Sequence, residues 1–161
     1  MKQDISELIE RAVSEDIGLS DITSEACISE DTVISGKILL KQSACIAGLP
    51  FFKDVFQRVD PTIEVVFFEE DGEYLTAGAI LGKVKGHARG ILGADRTALN
   101  VLQHASGVAK VTYEFVEAVE GYQCDILDTR RTLPGLRSLE KYAVRTAGGV
   151  NHRYSLDDRF V

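Results

Sequence analysis

Two arginine-bearing clusters hold the residues best suited to chemistry. Leu127-Asp128-Thr129-Arg130-Arg131-Thr132-Leu133-Pro134-Gly135-Leu136-Arg137 reads as the end of a short strand running into the start of a helix. Gly148-Gly149-Val150-Asn151-His152-Arg153 then places an imidazole and a further guanidinium where a next strand would emerge. A guanidinium is a planar fork of five donors that pairs bidentately with carboxylate or phosphate. In β/α barrels the reactive groups sit at the C-terminal ends of strands, so arginines at two successive strand ends imply a small anionic ligand.

The charge distribution sharpens this reading. The 161 residues include 18 Lys+Arg and 25 Asp+Glu, for a net charge of −7. Seven of the basic and three of the acidic residues follow Asp128, so that end carries +4 and the chain before it −11. An acidic protein with a local arginine excess is a poor match for nucleic acid or an anionic membrane, both of which need a broad basic surface. No apolar run approaches the ~20 residues of a membrane span, and Met1-Lys2-Gln3-Asp4 opens no hydrophobic signal core, so a cytoplasmic protein is expected. Cys27, Cys45 and Cys124 are odd in number, far apart and outside any CxxC spacing. They are expected to be small buried residues, with no disulfide framework and no zinc site.

The elements that must position the arginines follow from periodicity. Ile5, Leu8, Ile9, Ala12 and Val13 form one apolar stripe, predicting a helix over about residues 3 to 14 that ends at Gly18. Ser20 to Ser24 reads as a turn or cap. Strands are predicted at Val33 to Lys41, near Ala44 to Ala47, at Ile63 to Phe68 and at Ala79 to Lys85, with a turn at Glu70-Asp71-Gly72. Between them Pro50 opens a helix lined by Phe51, Phe52, Val55, Phe56 and Val59, and Asp60-Pro61 stops it. A long helical region begins near Gly93 and is expected to break at Ser106-Gly107, as a kink or corner. Cys124 to Leu127 reads as a short buried strand, followed by a helix over about Leu136 to Thr146 that Gly148-Gly149 terminates. Arg137, Lys141 and Arg145 recur every four residues and are read as a solvated basic face outside the site. His87 and His104 are expected to be structural or exposed.

The two clusters, with Glu140-Lys141-Tyr142-Ala143-Val144 between them, resemble the signature run of quinolinate phosphoribosyltransferase, also called nicotinate-nucleotide pyrophosphorylase (carboxylating). Glu15-Asp16-Ile17-Gly18 leading to Asp21-Ile22-Thr23 agrees with that family, as does Asp95-Arg96-Thr97-Ala98-Leu99-Asn100 leading to Ser106-Gly107. The resemblance covers essentially the whole chain, in order. It implies attack of quinolinate on C1 of phosphoribosyl pyrophosphate, with Mg2+, giving nicotinate mononucleotide, pyrophosphate and CO2 in NAD biosynthesis. By the family pattern Arg130 and Arg153 bind the substrate carboxylates. Thr129, Arg131 and His152 line the same pocket, and Arg96 is lent across a homodimer interface to the partner's site. No acid, base or nucleophile and no metal ligand is implied in this chain. One departure is that Arg131 stands where the family usually has lysine, replacing a compact ammonium by a planar fork.

The expected architecture is α/β: an α+β, sandwich-like domain over residues 1–119, then over 120–161 the first unit or units of an incomplete β/α barrel. A whole barrel takes ~250 residues, so the chain is expected to hold half of a dicarboxylate pocket and to be inactive alone. The alternative is a non-catalytic dimerisation or anion-binding module derived from the same family. Glu70 to Leu81 also has the rhythm of a lipoyl or biotinyl carrier hairpin, without the lysine that such a carrier modifies.

Overall fold

Ile5 and Ile9, one helical turn apart, are each 1% exposed and form the buried edge of α1 (Lys2–Ile17). The helix runs on to Ile17 rather than ending near residue 14, and stops where Gly18 takes a φ of +61°. The structure is a computed structural model that describes residues 2–158. Met1 and residues 159–161, assigned above to the outer ends of the two expected domains, lie outside that range. The expected cap at Ser20 to Ser24 opens a short helix that periodicity did not reveal, α2 (Ile22–Cys27). The Asp21 carboxylate accepts from Thr23 N at 3.2 Å and Ser24 N at 3.1 Å, satisfying two of the helix's orphan donors.

Branched residues then build β1 (Val33–Leu39), followed by β2 (Ala44–Cys45). Pro50 sits in the first turn of α3 (Leu49–Val59), whose residues Phe51, Phe52, Val55 and Phe56 are all buried. Burial of each such side chain contributes about 1.5–3 kcal/mol. β3 (Glu64–Phe67), β4 (Tyr74–Leu75) and β5 (Ile80–His87) follow. β5 lies between β1 and β3 in an antiparallel sheet of order β1-β5-β3, while β2 pairs with β4. Glu70 to Leu81 thus does not fold on itself as a carrier hairpin. Its Tyr74 and Leu75 pair with Cys45 and Ala44 instead.

The largest departure from the sequence reading is α4 (Ala88–Ala118), one uninterrupted helix of 31 residues that starts before Gly93 and passes through Ser106-Gly107 without a break. Ser106 is buried, accepting from Ala47 N and donating to Ala47 O, both at 3.2 Å. Its hydroxyl therefore docks the helix on the β2–α3 connection rather than competing with the helical ladder. Gly107 is exposed, with open space where a Cβ would stand. The fully buried small residues Ala94, Ala98, Ala105 and Ala109 let α4 lie close to the layer beneath it.

α5 (Arg137–Thr146) follows a loop and packs on α4 and α1. Its Leu139 and Ala143, with Ala147 just beyond its end, join the same hydrophobic cluster as Ile5, Phe52 and Val101. The helix ends in a Schellman motif: Gly148, at φ +88°, donates to Arg145 O and Gly149 N donates to Val144 O. A Cβ on Gly149 would stand 2.7 Å from Val144 Cγ1 and 2.9 Å from Thr112 Cγ2, so this close approach needs glycine.

Cys124 to Leu127 is not the buried strand expected. It forms a single parallel bridge, Leu127 to Val150, and Cys124 and Leu127 are exposed. Only one neighbouring segment pairs with it, which is too little to remove it from solvent. Of the three cysteines, only Cys45 is buried; Cys27 and Cys124 are exposed, against expectation, because they lie at the end of a short surface helix and in this outer segment.

Candidate functional site

The parallel bridge brings the two arginine clusters side by side. Asp128 N donates to Val150 O at 3.1 Å, and Val150 N to Ile126 O at 2.9 Å, so the loops beginning at residues 128 and 151 leave from adjacent points. α5 crosses between them, as the helix of a strand-helix-strand unit must. The site is therefore built where two parallel segments end, the position from which barrel enzymes present their ligand groups.

Lys141 on α5 is the centre of the arrangement and corrects the reading of a solvated stripe. Its side chain is 2% exposed and its Nζ stands 2.5 Å from Asp128 Oδ1, with Asp128 itself 6% exposed. Lys141 Nζ also donates to His152 O at 3.2 Å. Asp128 Oδ1 further accepts from His152 N at 2.8 Å, and Oδ2 from Asn151 Nδ2 at 2.7 Å. Asn151 Nδ2 in turn reaches Lys141 O at 2.8 Å. Three donors, one of them a cation, thus reach the carboxylate, and such added hydrogen bonding is what makes a buried ion pair tolerable. A four-residue repeat on a helix says which side chains share a face, but not which neighbour covers that face.

Arg137 is likewise drawn into the structure rather than left in solvent. Its guanidinium donates to Thr132 Oγ1 at 3.2 Å, to Arg130 O at 3.4 Å and to Tyr154 O at 3.1 Å, tying both loops to the start of α5. Ser138, one residue on, shares a hydrogen bond of 2.5 Å with Tyr154 Oη and donates to Asp4 on α1 at 3.3 Å. Arg145 remains exposed, beside the Tyr142 ring. Glu140 Oε1 pairs with His104 Nε2 at 3.0 Å and accepts from Leu133 N at 3.4 Å, so His104 has a structural role bracing the loop. His87, half exposed, lies 3.4 Å from Asp60.

The residues singled out for the ligand fall into two places. Thr129, Arg130, Arg131, His152 and Arg153 lie on the two adjoining loops, with Arg130, His152 and Arg153 half-buried and Thr129 and Arg131 exposed. Thr129 Oγ1 accepts from Arg131 N at 3.0 Å, which shapes the loop. Arg130 Nε is buried without a hydrogen-bond partner. Among the described residues no acidic side chain forms an ion pair with Arg130, Arg131 or Arg153. Arg96 stands apart from these loops, exposed on α4.

Asp128, Arg137, Lys141 and Asn151 are the contributors that the sequence reading passed over. The available signal was an aspartate at a strand end beside so many cations, since that carboxylate needed a partner.

A second carboxylate holds α5 through Tyr142, the residue after Lys141. Asp71 accepts from Gly48 N at 2.8 Å and Leu49 N at 3.0 Å, capping α3 from a distant turn, and from Tyr142 Oη at 2.7 Å. Burial, followed by this carboxylate, pushes the Tyr142 phenol up to about 12. Among the described residues no group of three or more His, Cys, Asp or Glu is placed to hold a metal ion.

Known proteins match this arrangement. Residues 21–106 match the quinolinate phosphoribosyl transferase N-terminal domain and residues 108–161 the C-terminal domain of the same family. A nicotinate-nucleotide pyrophosphorylase (carboxylating) of Mycobacterium leprae is 46% identical over 154 residues, covering 93% of this chain and 54% of that protein. A probable nicotinate-nucleotide pyrophosphorylase of Bacillus subtilis is 37% identical, over 96% of this chain and 53% of the relative. The solved nicotinate-nucleotide pyrophosphorylase of Francisella tularensis superposes with a TM-score of 0.93 at 34% identity, covering 99% of this chain and 57% of its own. The chain spans about half the length of the curated relatives it matches. With both family domains matched in order and the arginine loops assembled around the end of one strand-helix-strand unit, the chain belongs to the quinolinate phosphoribosyl transferase family.

Proposed function

We propose that this chain supplies the dicarboxylate-binding side of a quinolinate phosphoribosyltransferase, the activity that makes nicotinate mononucleotide, pyrophosphate and CO2 in NAD biosynthesis. The observation that carries this reading is the set of three arginines, Arg130, Arg131 and Arg153, gathered on adjoining loops with no acidic partner among the described residues. Unneutralised cations held close together repel one another, and an anion is what relieves that repulsion. Quinolinate carries two carboxylates on a rigid ring, and bidentate guanidinium contacts suit each of them.

In this reading Arg130 and Arg153 hold the carboxylates, and Thr129, Arg131 and His152 line the pocket. The ring nitrogen attacks C1 of phosphoribosyl pyrophosphate. Once ribosylated, the nitrogen is the electron sink for loss of CO2, so fixed positive charge does the binding and no protein nucleophile is needed. Mg2+ belongs to this reading as the counter-ion of phosphoribosyl pyrophosphate. Arg96, exposed on α4, is assigned to the site of a second copy in a homodimer. The division into a unit over 1–119 and a barrel start over 120–161 is supported by the switch from antiparallel pairing to the parallel Leu127–Val150 bridge. No described helix is long and apolar enough to cross a membrane. A cytoplasmic location is part of the proposal, and a Nicotiana tabacum relative, 40% identical, is named as mitochondrial.

Titration calorimetry with quinolinate tests the pocket. Saturable heat is expected for this chain, a much weaker response with nicotinate, and none for Arg130→Gln/Arg153→Gln. Absence of heat at millimolar quinolinate would remove the reading.

A further inference from the structure

An ammonium group buried to 2% exposure beside Arg130, Arg131 and Arg153 is not explained by anion binding alone. Lys141 adds a cation to a pair of loops that already carry three arginines with no acidic partner among the described residues. Its partners are Asp128 Oδ1 and His152 O, both belonging to the framework.

Asp128 is the reason this matters. It lies two residues before Arg130, and its carboxylate holds the backbone N–H of His152, the residue preceding Arg153. A carboxylate carried on the same two loops as Arg130 and Arg153 is a natural partner for them, since a bidentate pair with arginine is stronger than a contact with an ammonium. Were Asp128 to take either arginine, that arginine would be neutralised and turned away from a ligand. The structure shows the opposite: Asp128 is held by Lys141, Asn151 and the His152 amide, while Arg130 Nε is buried without a partner.

We propose that Lys141 is a positioning residue that serves as the dedicated counter-ion of Asp128, keeping this carboxylate from capturing Arg130 or Arg153 so that both remain charged and free for the incoming dianion. The same pair grips both sides of the His152 residue, its N–H through Asp128 and its C=O through Lys141, and so fixes the peptide that leads into Arg153. The inference rests on the dicarboxylate reading of the pocket, and it names a group that shapes the site without touching the ligand.

The test combines quinolinate calorimetry, thermal unfolding and nitrogen-15 NMR of the arginine Nε–Hε groups, with Arg130 assigned by the loss of its signal in Arg130→Lys. Lys141→Met is expected to weaken quinolinate binding by about tenfold or more. With no ligand present, it is expected to move the Arg130 or Arg153 Nε–Hε signal to an ion-paired position. Adding Asp128→Asn in the same chain is expected to return that signal towards its original place and to recover most of the affinity. Lys141→Gln, which can still donate to His152 O, carries the same test if Lys141→Met does not fold. The proposal is overturned if the lysine variants leave the arginine signals of the free protein unmoved. It is equally overturned if the double variant regains thermal stability but not affinity, since Lys141 would then be structural only. If the unmodified chain itself gives no heat with quinolinate, the dicarboxylate reading fails, and the NMR of the free proteins still decides whether Lys141 keeps Asp128 from the arginines.

Discussion

Asp71 and Asp128 both sit against α5 and both join segments distant in sequence, yet they are satisfied by opposite means. Asp71 accepts from two backbone amides at the start of α3 and from the Tyr142 hydroxyl, all neutral donors. The helix N-terminus supplies the equivalent of roughly half a positive charge, so no counter-ion is required there. Asp128 lies at a strand end, and its main partner is a full ammonium that is itself buried. The difference shows that a carboxylate can be held purely for architecture by dipoles. At Asp128, on the loops that carry the arginines, a buried cation is committed to the carboxylate instead.

The largest effect is expected at the charged contact of α5 with Asp128. Lys141→Met leaves Asp128 buried and uncompensated, and should cost about 3–5 kcal/mol in denaturant unfolding, much of it recovered by adding Asp128→Asn. A loss no larger than that from Asp71→Ala would erase the distinction between the two networks. Asp71→Ala itself removes a remote helix cap and the tie to Tyr142, for which about 2–3 kcal/mol is expected in the same measurement. Because its donors are neutral, the companion Tyr142→Phe should not produce the rescue expected at Asp128.

Tyr142→Phe is a smaller change, worth about 1 kcal/mol near neutral pH. It also carries a signature in pH. Burial raises the Tyr142 phenol from an ordinary value of 10.0 to about 12, so the folded state keeps a proton that the unfolded state gives up. Its contribution is complete below pH 10 and is lost as pH rises towards 12. Ultraviolet titration should therefore show a phenol near 12 that is missing in Tyr142→Phe, and the variant should lose that part of the alkaline destabilisation. Absence of a phenol near 12 would show that the contact between Tyr142 and Asp71 is open to water.

The smallest effect concerns Cys45, whose thiol burial, and secondarily Asp71, push up to about 11. A thiol reagent at neutral pH should modify Cys27 and Cys124 promptly and Cys45 only on unfolding. Asp71→Asn should quicken Cys45 modestly if the charge contributes as the geometry indicates. No change would assign its inertness to burial alone.

Several elements were legible in the sequence because a local signal dictated them. The i, i+4 spacing of Ile5 and Ile9, Pro50 ahead of the phenylalanines, and Gly148-Gly149 after α5 each state a rule that needs no tertiary information. The failures have a common cause. Ser106-Gly107 reads as a break until Ala47 is found against the hydroxyl, and Cys124 to Leu127 reads as buried until its exposure is seen. Lys141 and Arg137 read as solvated because a repeat of four along a helix is the same whether water or Asp128 lies opposite.

The amino-acid order by itself determined the family, the number of arginines and their placement on two strand-end loops, because guanidinium charge is permanent and the motif is continuous along the chain. Only the tertiary structure decided which cations are spent on the framework and which stay available. Neutralisation depends on a distance of a few ångströms between side chains far apart in sequence, and folding puts Lys141 rather than an arginine at that distance from Asp128.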